Sequence, residues 1–410
     1  MQAAVHNMES FRQLALSLDP GSRFVVLLVA SVVIAEIVQR LLRLPRITGY
    51  VLGGVLFGPS VLAAITLAEV RPLGLLVELV LGLLVFELGS RVEIVWLRKN
   101  LWLLLASCCE ALATFAAVVF LLRAWGVTDH VALVVAAVCI ATSPGVVIRI
   151  VNELRARGQV TERMLLMAVL NVIYSIVAFE TMLRVMRLES TMLLPALLSL
   201  AYFLCGAFVL GAIVAFLVNF IFGMLSGRDT DAFVLALSII LLAGAAAHQL
   251  HLSVPLALLL GGLMLRHYST RLVLFPPHFG TAGEVLVVIM FVLTGIQLDV
   301  SMLHAGGLLA LALVAVRAAA KMAIVAVLAR PAGLGVRKGL LVGVALTPMS
   351  TLALIMISDP RLAALGLRSQ GSGIVLASLF VMQLLGPVAC ALALRCAREE
   401  RVDLVEKSRA

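Results

Sequence analysis

Long apolar runs alternate with short polar loops along almost the whole chain. A helix needs about 20 apolar residues to cross the hydrocarbon core of a bilayer, which is about 30 Å thick. Runs near this length predict an all-α polytopic membrane protein with about 13 transmembrane helices. The predicted spans lie at 22–39, 47–67, 73–90, 101–122, 131–150, 163–186, 193–222, 231–248, 253–265, 281–297, 305–328, 338–356 and 371–396.

Composition and charge agree with this pattern. Hydrophobic residues make up 63% of the 410 residues and charged residues only 13%, whereas about 25% of the residues in soluble domains are charged. The net charge of +9 comes largely from basic residues in short loops at one end of the predicted spans, the positive-inside pattern of membrane proteins. This pattern predicts an N-terminus outside and a C-terminus in the cytoplasm, and it does not suggest nucleic-acid binding.

The two halves of the chain share a sequence pattern. Segments 78–89 and 284–295 both run from a glutamate to a glycine, and a proline, Pro144 or Pro348, interrupts a later span in each half. An odd number of spans separates corresponding helices, so the two copies form an inverted repeat. We divide the chain into an N-terminal segment, a transmembrane domain and a cytoplasmic tail, at 1–21, 22–396 (repeat 1 about 22–186, linker helix 193–222, repeat 2 about 231–396) and 397–410.

Proline-containing breaks interrupt the fifth and twelfth spans, at 142–144 and 346–350. A proline in mid-membrane removes a backbone donor and frees a carbonyl, and lipid can satisfy neither defect. Such breaks are tolerated where protein buries them or where they line a wet cavity, as in the ion sites of transporters. We therefore predict that two broken helices cross near the midplane and form one site.

Polar side chains gather at the depth of these breaks, about 10 to 16 Å from the inner ends of their spans. Ionisable groups at that depth are costly and indicate function. Arg317 and Lys321 lie one turn apart and need an anionic partner, and Glu110 is the acidic residue near their depth. Asn171 and Ser175 share one helix face. We predict an ion site formed by Thr142, Ser143, Asn171, Ser175, Glu110 and Thr347, with Lys321 and Arg317 compensating charge.

Each of these predictions has a structural alternative. The hydroxyls of the two breaks, including that of Ser350, could only bond kinked backbone, and Asn171 could be an ordinary interhelical hydrogen-bonding group. Glu110 could belong to a structural ion pair, and Arg317 could serve only to lock it. The six cysteines lie in apolar segments without metal-ligand spacing, so we expect packing roles for them. We expect no metal, no cofactor and no enzymatic activity.

Five segments resemble the monovalent cation:proton antiporter superfamily, in the branch of bacterial sodium/proton antiporters and potassium-efflux proteins: RITGYVLGGVLFGPSVL, LGLLVFELG, ATSPGVV, FVLTGIQLD and GVALTPMSTLALI. The resemblance covers about residues 22–396. It implies a homodimer that exchanges monovalent cations for protons, with two crossed broken helices in a core domain that moves against a dimerisation domain. Thr142-Ser143-Pro144 and Thr347-Pro348 match the family's broken helices, and Lys321 or Arg317 matches its basic residue before the second break.

The sixth span departs from the family pattern. The family carries Asp-Asp, Asn-Asp or Gln-Asp there, and its second carboxylate binds the cation and the proton in turn, whereas this chain has Asn171-Val172. One hypothesis is an antiporter for Na⁺ or K⁺ in which Glu110 replaces that carboxylate. Within it, Lys321 alone could carry the proton, because burial disfavours a charged amine. Two other classes stay open: a non-exchanging membrane scaffold or partner subunit, and a carrier for an anionic solute, which the helix N-termini at the breaks would favour.

Overall fold

A computed structural model describes residues 19–92, 100–186, 193–224, 229–268, 280–298, 300–349, 351–366 and 368–400. Most of the N-terminal segment (1–18), Ser350 of the second break and most of the tail (401–410) lie outside the described residues. The described residues are almost entirely helical, with one isolated β-bridge and no strand among them. The prediction of an all-α fold is confirmed.

Each predicted apolar run coincides with a helix or with two half-helices. Six described helices are long and apolar enough to cross a membrane, by length and composition, and the total of about 13 spans stays a prediction. The helices are α1 (Pro20–Leu42), α2 (Arg46–Phe57), α3 (Leu67–Val70), α4 (Gly74–Ser90), α5 (Leu101–Ala124), α6 (Asp129–Ile140), α7 (Pro144–Glu153), α8 (Gln159–Met186), α9 (Leu193–Met224), α10 (Asp229–Gln249), α11 (Val254–Tyr268), α12 (Gly280–Gln297), α13 (Val300–Val327), α14 (Val336–Ala345), α15 (Thr351–Ile357), α16 (Pro360–Ala364) and α17 (Arg368–Cys396).

A proline and a capping hydroxyl define the first break. Helix α6 ends at Ile140, and α7 begins with Pro144, a position where the missing N–H would have no helical partner in any case. Ser143 caps α7, because its Oγ accepts a hydrogen bond from the backbone N–H of Val146 at 3.4 Å. The second break separates α14 from α15. Both predicted spans are therefore pairs of half-helices.

The helices pack in two groups. Helices α5, α6, α7, α8, α13, α14, α15 and α17 surround the two breaks, and we call them the core group. Helices α1, α2, α4, α9, α10, α11 and α12 pack mainly with one another, and we call them the scaffold group. The groups meet where α7 packs against α4 and where α17 packs against α2. The broken half-helix α7 is therefore a direct link between the site and the scaffold.

Glycines bring the scaffold helices to backbone contact. A Cβ atom on Gly262 of α11 would lie 2.1 Å from the carbonyl oxygen of Phe86 in α4. A Cβ atom on Gly54 of α2 would lie 2.2 Å from the carbonyl oxygen of Val292 in α12. Small residues allow this approach in membrane helices, where packing replaces the hydrophobic effect as the force that holds helices together.

Candidate functional site

The two breaks meet in the core group. Thr142 and Met349 form the isolated antiparallel bridge, and the backbone N–H of Ser143 donates to the carbonyl oxygen of Pro348 at 3.0 Å. The Thr142 hydroxyl donates to the carbonyl oxygen of Leu346 at 3.0 Å. Each break thus supplies hydrogen-bond partners for the other. Lipid could not supply them to the backbone N–H and carbonyl groups that the breaks leave free.

Arg317 of α13 satisfies three carbonyls that the breaks set free. Its Nε donates to Cys139 O at 2.7 Å and its Nη2 to Ala141 O at 2.7 Å, while Nη1 donates to Thr347 O. The side chain is fully buried. A guanidinium presents its donors in a fixed fork, so it can join several acceptors at once. It also lies at the C-terminal ends of α6 and α14, where the helix dipoles favour a positive charge.

Lys321, one turn further along α13, pairs with Glu110 of α5. The Lys321 ammonium donates to Glu110 Oε1 and also to the carbonyl oxygen of Ile140, the latter at 3.1 Å. Both side chains are fully buried. Thr114 Oγ1 donates to Glu110 Oε1 at 3.3 Å, whereas Glu110 Oε2 has no hydrogen-bond partner in the part of the chain that the structure describes. The anionic partner predicted for the two cations is therefore taken by Lys321, and Arg317 binds carbonyls instead of locking Glu110.

Asn171 of α8 approaches the first break from the other side. Its Nδ2 donates to Thr142 Oγ1 at 3.2 Å, while its Oδ1 is buried and has no partner among the described residues. The neighbouring Val172, which the resemblance aligns with a carboxylate, is fully buried. Among the described residues, no hydrogen bond joins Asn171 to Glu110. The site therefore consists of an amide half around Asn171 and an ion-pair half around Glu110, with the first break between them.

The remaining predicted site residues bond the backbone. Ser175 Oγ donates to Ala137 O at 2.8 Å, and Thr347 Oγ1 donates to Val344 O at 2.7 Å. The Ser143 hydroxyl is used as the cap of α7. These contacts match the structural alternative for the hydroxyls, although the Thr142 hydroxyl joins both breaks and Asn171.

Sequence reasoning missed Gln383 of α17. This residue is fully buried, and its Nε2 donates to Thr351 Oγ1 at 3.4 Å, while its Oε1 has no partner among the residues that the structure describes. One turn away, Gly386 packs so closely on the second break that a Cβ atom there would lie 2.8 Å from Pro348 Cα. The sequence feature that could have identified Gln383 is its long polar side chain in the middle of the apolar run 371–396. Gln383 thus places a third buried, unpartnered oxygen near the breaks, after Asn171 Oδ1 and Glu110 Oε2.

A cavity of about 870 Å³ lies between the core and scaffold groups on the side that the charge pattern predicts to be outside. Its lining reaches Ile176 and Met356, and Met356 Sδ lies 3.8 Å from Ser175 Oγ. Near the mouth, Arg361 pairs with Glu180 through contacts of 2.6 and 2.9 Å. The cavity therefore leads from that side of the molecule to the turn of α8 that follows Asn171.

Two broken helices that cross and share buried polar groups define the architecture of a secondary-active transporter. The family described as "Sodium/hydrogen exchanger, transmembrane" matches residues 27–395 of the chain. The chain belongs to this family, as the resemblance of its segments predicted. No curated protein matches the chain significantly.

Solved structures show the same fold. The structure of the sodium proton antiporter MjNhaP1 from Methanocaldococcus jannaschii at pH 8 is 16% identical in sequence, with a TM-score of 0.61 over 96% of this chain and 97% of that one. A second structure of MjNhaP1, from an electron-microscopy map, is 18% identical, with a TM-score of 0.70 over 98% of this chain and all (100%) of that one. At this identity the likeness establishes the fold of this chain.

Proposed function

We propose that the protein is a secondary-active antiporter that exchanges a monovalent cation, Na⁺ or K⁺, for protons by alternating access. Membership of the exchanger family supports this proposal. The observation that carries it is the fully buried ion pair between Glu110 and Lys321, which touches the first break through the Ile140 carbonyl. In this proposal Glu110 supplies the carboxylate that the sixth span lacks, since Val172 stands at the position that the resemblance aligns with it.

The ion pair offers a way for proton and cation to compete. A metal cation that binds Glu110 takes the place of the Lys321 ammonium, and the proton leaves Lys321 Nζ for solvent as the cation arrives. The buried site holds the same net charge in both states, so neither state leaves an uncompensated charge in a medium where that would be very costly. Glu110 Oε2 and Asn171 Oδ1, which have no partner among the described residues, are acceptors that a cation could use.

The contacts give less support to a carrier for an anionic solute. Such a carrier needs a cation that can turn to the solute, but Arg317 is engaged with three carbonyls and Lys321 with Glu110. A non-exchanging scaffold would also keep these contacts. Transport measurements separate that class from an antiporter.

The test is proton flux in proteoliposomes with Na⁺, K⁺ or Li⁺ on one side. We expect an imposed cation gradient to drive proton movement, and we expect Glu110→Gln to abolish it in the fraction of the variant that is folded and monodisperse. Glu162→Gln is the matched control, because Glu162 is exposed at the inner start of α8. Flux that is unchanged in Glu110→Gln would remove Glu110 from the mechanism. The absence of flux from the unaltered protein with every cation would favour the scaffold class.

We also propose the orientation and assembly that the sequence predicts: N-terminus outside, C-terminus in the cytoplasm of a bacterial inner membrane, and a homodimer. Basic residues at the inner ends of the spans support the orientation. Labelling of the exposed Cys396 by a membrane-impermeant thiol reagent tests it, and we expect reaction in inverted vesicles but not in intact cells. Mass measurement in detergent tests the dimer.

A further inference from the structure

The last turn of α7 carries three polar residues at i, i+3 and i+4, namely Arg149, Asn152 and Glu153. This spacing places them on one face of the helix. The half-helix belongs to the core group, and its first residue follows the Ser143 that bonds the second break. The inner end of α7 is therefore connected to the site through ten residues of continuous helix.

Asn152 and Arg149 each contact a different scaffold helix. Asn152 Oδ1 accepts a hydrogen bond from Arg91 Nη1 at 2.9 Å, at the inner end of α4. Arg149 Nη1 lies 3.6 Å from Glu284 Oε1 in the first turns of α12. These contacts tie one face of the half-helix to two scaffold helices.

Glu153 contacts two further scaffold helices. Its Oε1 accepts from Gln39 Nε2 of α1 at 3.0 Å and from the backbone N–H of Arg46, the first residue of α2, at 3.3 Å. Its Oε2 is buried and has no partner among the described residues. The last turn of α7 thus joins four scaffold helices, α1, α2, α4 and α12, on the inner side.

The two sides of the molecule differ at this boundary. The outer cavity of about 870 Å³ reaches Ile176 and Met356, next to the site. The inner cavity of about 440 Å³ ends at Glu153 and Leu154, which lie roughly 16 Å along the helix from Ser143. The contacts of α7 therefore close the inner approach, whereas the outer cavity extends as far as the turn of α8 that follows Asn171.

We propose that Arg149, Asn152 and Glu153 form an inner gate, which holds the protein open to the outside and must separate before the site can open inward. This gate rests on the proposed alternating-access function. The two scaffold arginines keep their own ion pairs when it opens, since Arg91 also pairs with Glu87 and Arg46 Nη2 also pairs with Glu36 at 3.1 Å. Separation then leaves no scaffold arginine buried and unpaired, so the gate is suited to reversible opening.

Thiol labelling in a cysteine-free background tests the gate without measuring transport. Ile355→Cys reports the outer cavity, which Ile355 lines. Val287→Cys reports the inner side, because Val287 of α12 is 6% exposed against α7. The gate variant is Asn152→Ala with Glu153→Ala, which retains Arg149 so that truncation does not itself uncover Val287.

The gate variant loses three hydrogen bonds, and we expect it to shift the equilibrium toward the inward-open state by at least about tenfold. Labelling of Val287→Cys by an impermeant maleimide should rise by that factor in inverted vesicles, and labelling of Ile355→Cys from the outer side should fall. Glu162→Ala, at an exposed carboxylate of the same side, should change neither rate. Unchanged rates in a gate variant that remains monodisperse would overturn the gate.

A cross-link provides the second test. A short bifunctional thiol reagent that joins Gln39→Cys to Glu153→Cys should stop cation exchange and leave the labelling of Ile355→Cys high, and a reducible form of the reagent should restore exchange. Exchange at the full rate in the cross-linked protein would overturn the gate. An unaltered protein without exchange would refute the proposed function, and the labelling results would still decide whether these residues control access.

Discussion

Two buried cations on one helix differ in what they bind. Arg317 and Lys321 lie one turn apart on α13, and both are fully buried. Arg317 donates to three backbone carbonyls of the two breaks, whereas Lys321 donates to one carbonyl and to the Glu110 carboxylate. The first region contains only fixed backbone acceptors, and the second contains a side chain that can also bind a metal cation.

The difference separates a structural role from an exchanging one. A guanidinium does not lose its proton in proteins and its fork matches several acceptors, so it is suited to hold the two breaks together permanently. An ammonium can lose its proton when buried, so it is suited to alternate with a cation at a shared carboxylate. Removal of Arg317 should therefore damage the fold, while a change at Lys321 that keeps its positive charge should damage exchange in a protein that remains folded.

Arg317→Met is expected to have the largest effect. It leaves three buried carbonyls without donors, at a cost on the order of 5 kcal/mol in the free energy of unfolding. That cost is comparable with the whole stability of many proteins, so we expect little monodisperse protein after size-exclusion chromatography. Arg330→Met makes the same change at an exposed position and should leave the yield unaltered. A well-folded Arg317→Met variant would show that the breaks do not need the guanidinium.

The Glu110–Lys321 pair is expected to show strong coupling. Glu110→Gln or Lys321→Gln alone leaves one buried charge unpaired, which should cost about 3–5 kcal/mol of stability. The double variant removes both charges, so it should be more stable than the sum of the single effects predicts. Thermal unfolding of the four proteins in detergent measures this cycle. Additive effects would mean that the two groups do not form a pair in the folded protein.

Lys321→Arg is expected to change stability less and exchange more. The arginine can still pair with Glu110, so the change in stability should come from overpacking and be about 1–3 kcal/mol. Because a guanidinium keeps its proton, cation-driven proton flux should disappear from a protein that remains folded. Persistent proton-coupled flux in Lys321→Arg would show that the exchanged proton is carried by another group.

Much of the fold could be predicted from the sequence, because the length of each apolar run shows whether it can cross the bilayer as a helix. The runs at 131–150 and 338–356 each contain a proline, and the structure turns both into pairs of half-helices. Close packing at Gly54 and Gly262 likewise follows from small residues in apolar segments. These features depend on neighbours along the chain and on the bilayer, so no long-range contact has to be known.

The partners of the site residues follow less directly. Sequence reasoning supplies two cations and one carboxylate at similar depth, but it cannot decide which cation reaches Glu110. That choice depends on where the carbonyls of Cys139, Ala141 and Thr347 point, and backbone directions at a break are set by tertiary contacts. The face of α7 that contacts the scaffold is hidden in the sequence for the same reason, since Glu153 and Gln39 are 114 positions apart.

Gln383→Leu is expected to have the smallest effect. It tests whether Gln383 has a structural role, as Arg317 does, or takes part in exchange, as we propose for Lys321. Its only described side-chain hydrogen bond is the long one to Thr351, and its Oε1 is already unpartnered. Replacing a poorly satisfied buried amide with an apolar group of similar size should change the free energy of unfolding by less than about 1 kcal/mol. We therefore expect a structural role, with the KM for the cation unchanged in the flux assay. A several-fold rise in KM without loss of stability would instead place Gln383 Oε1 among the oxygens that bind the cation, together with Glu110 and Asn171.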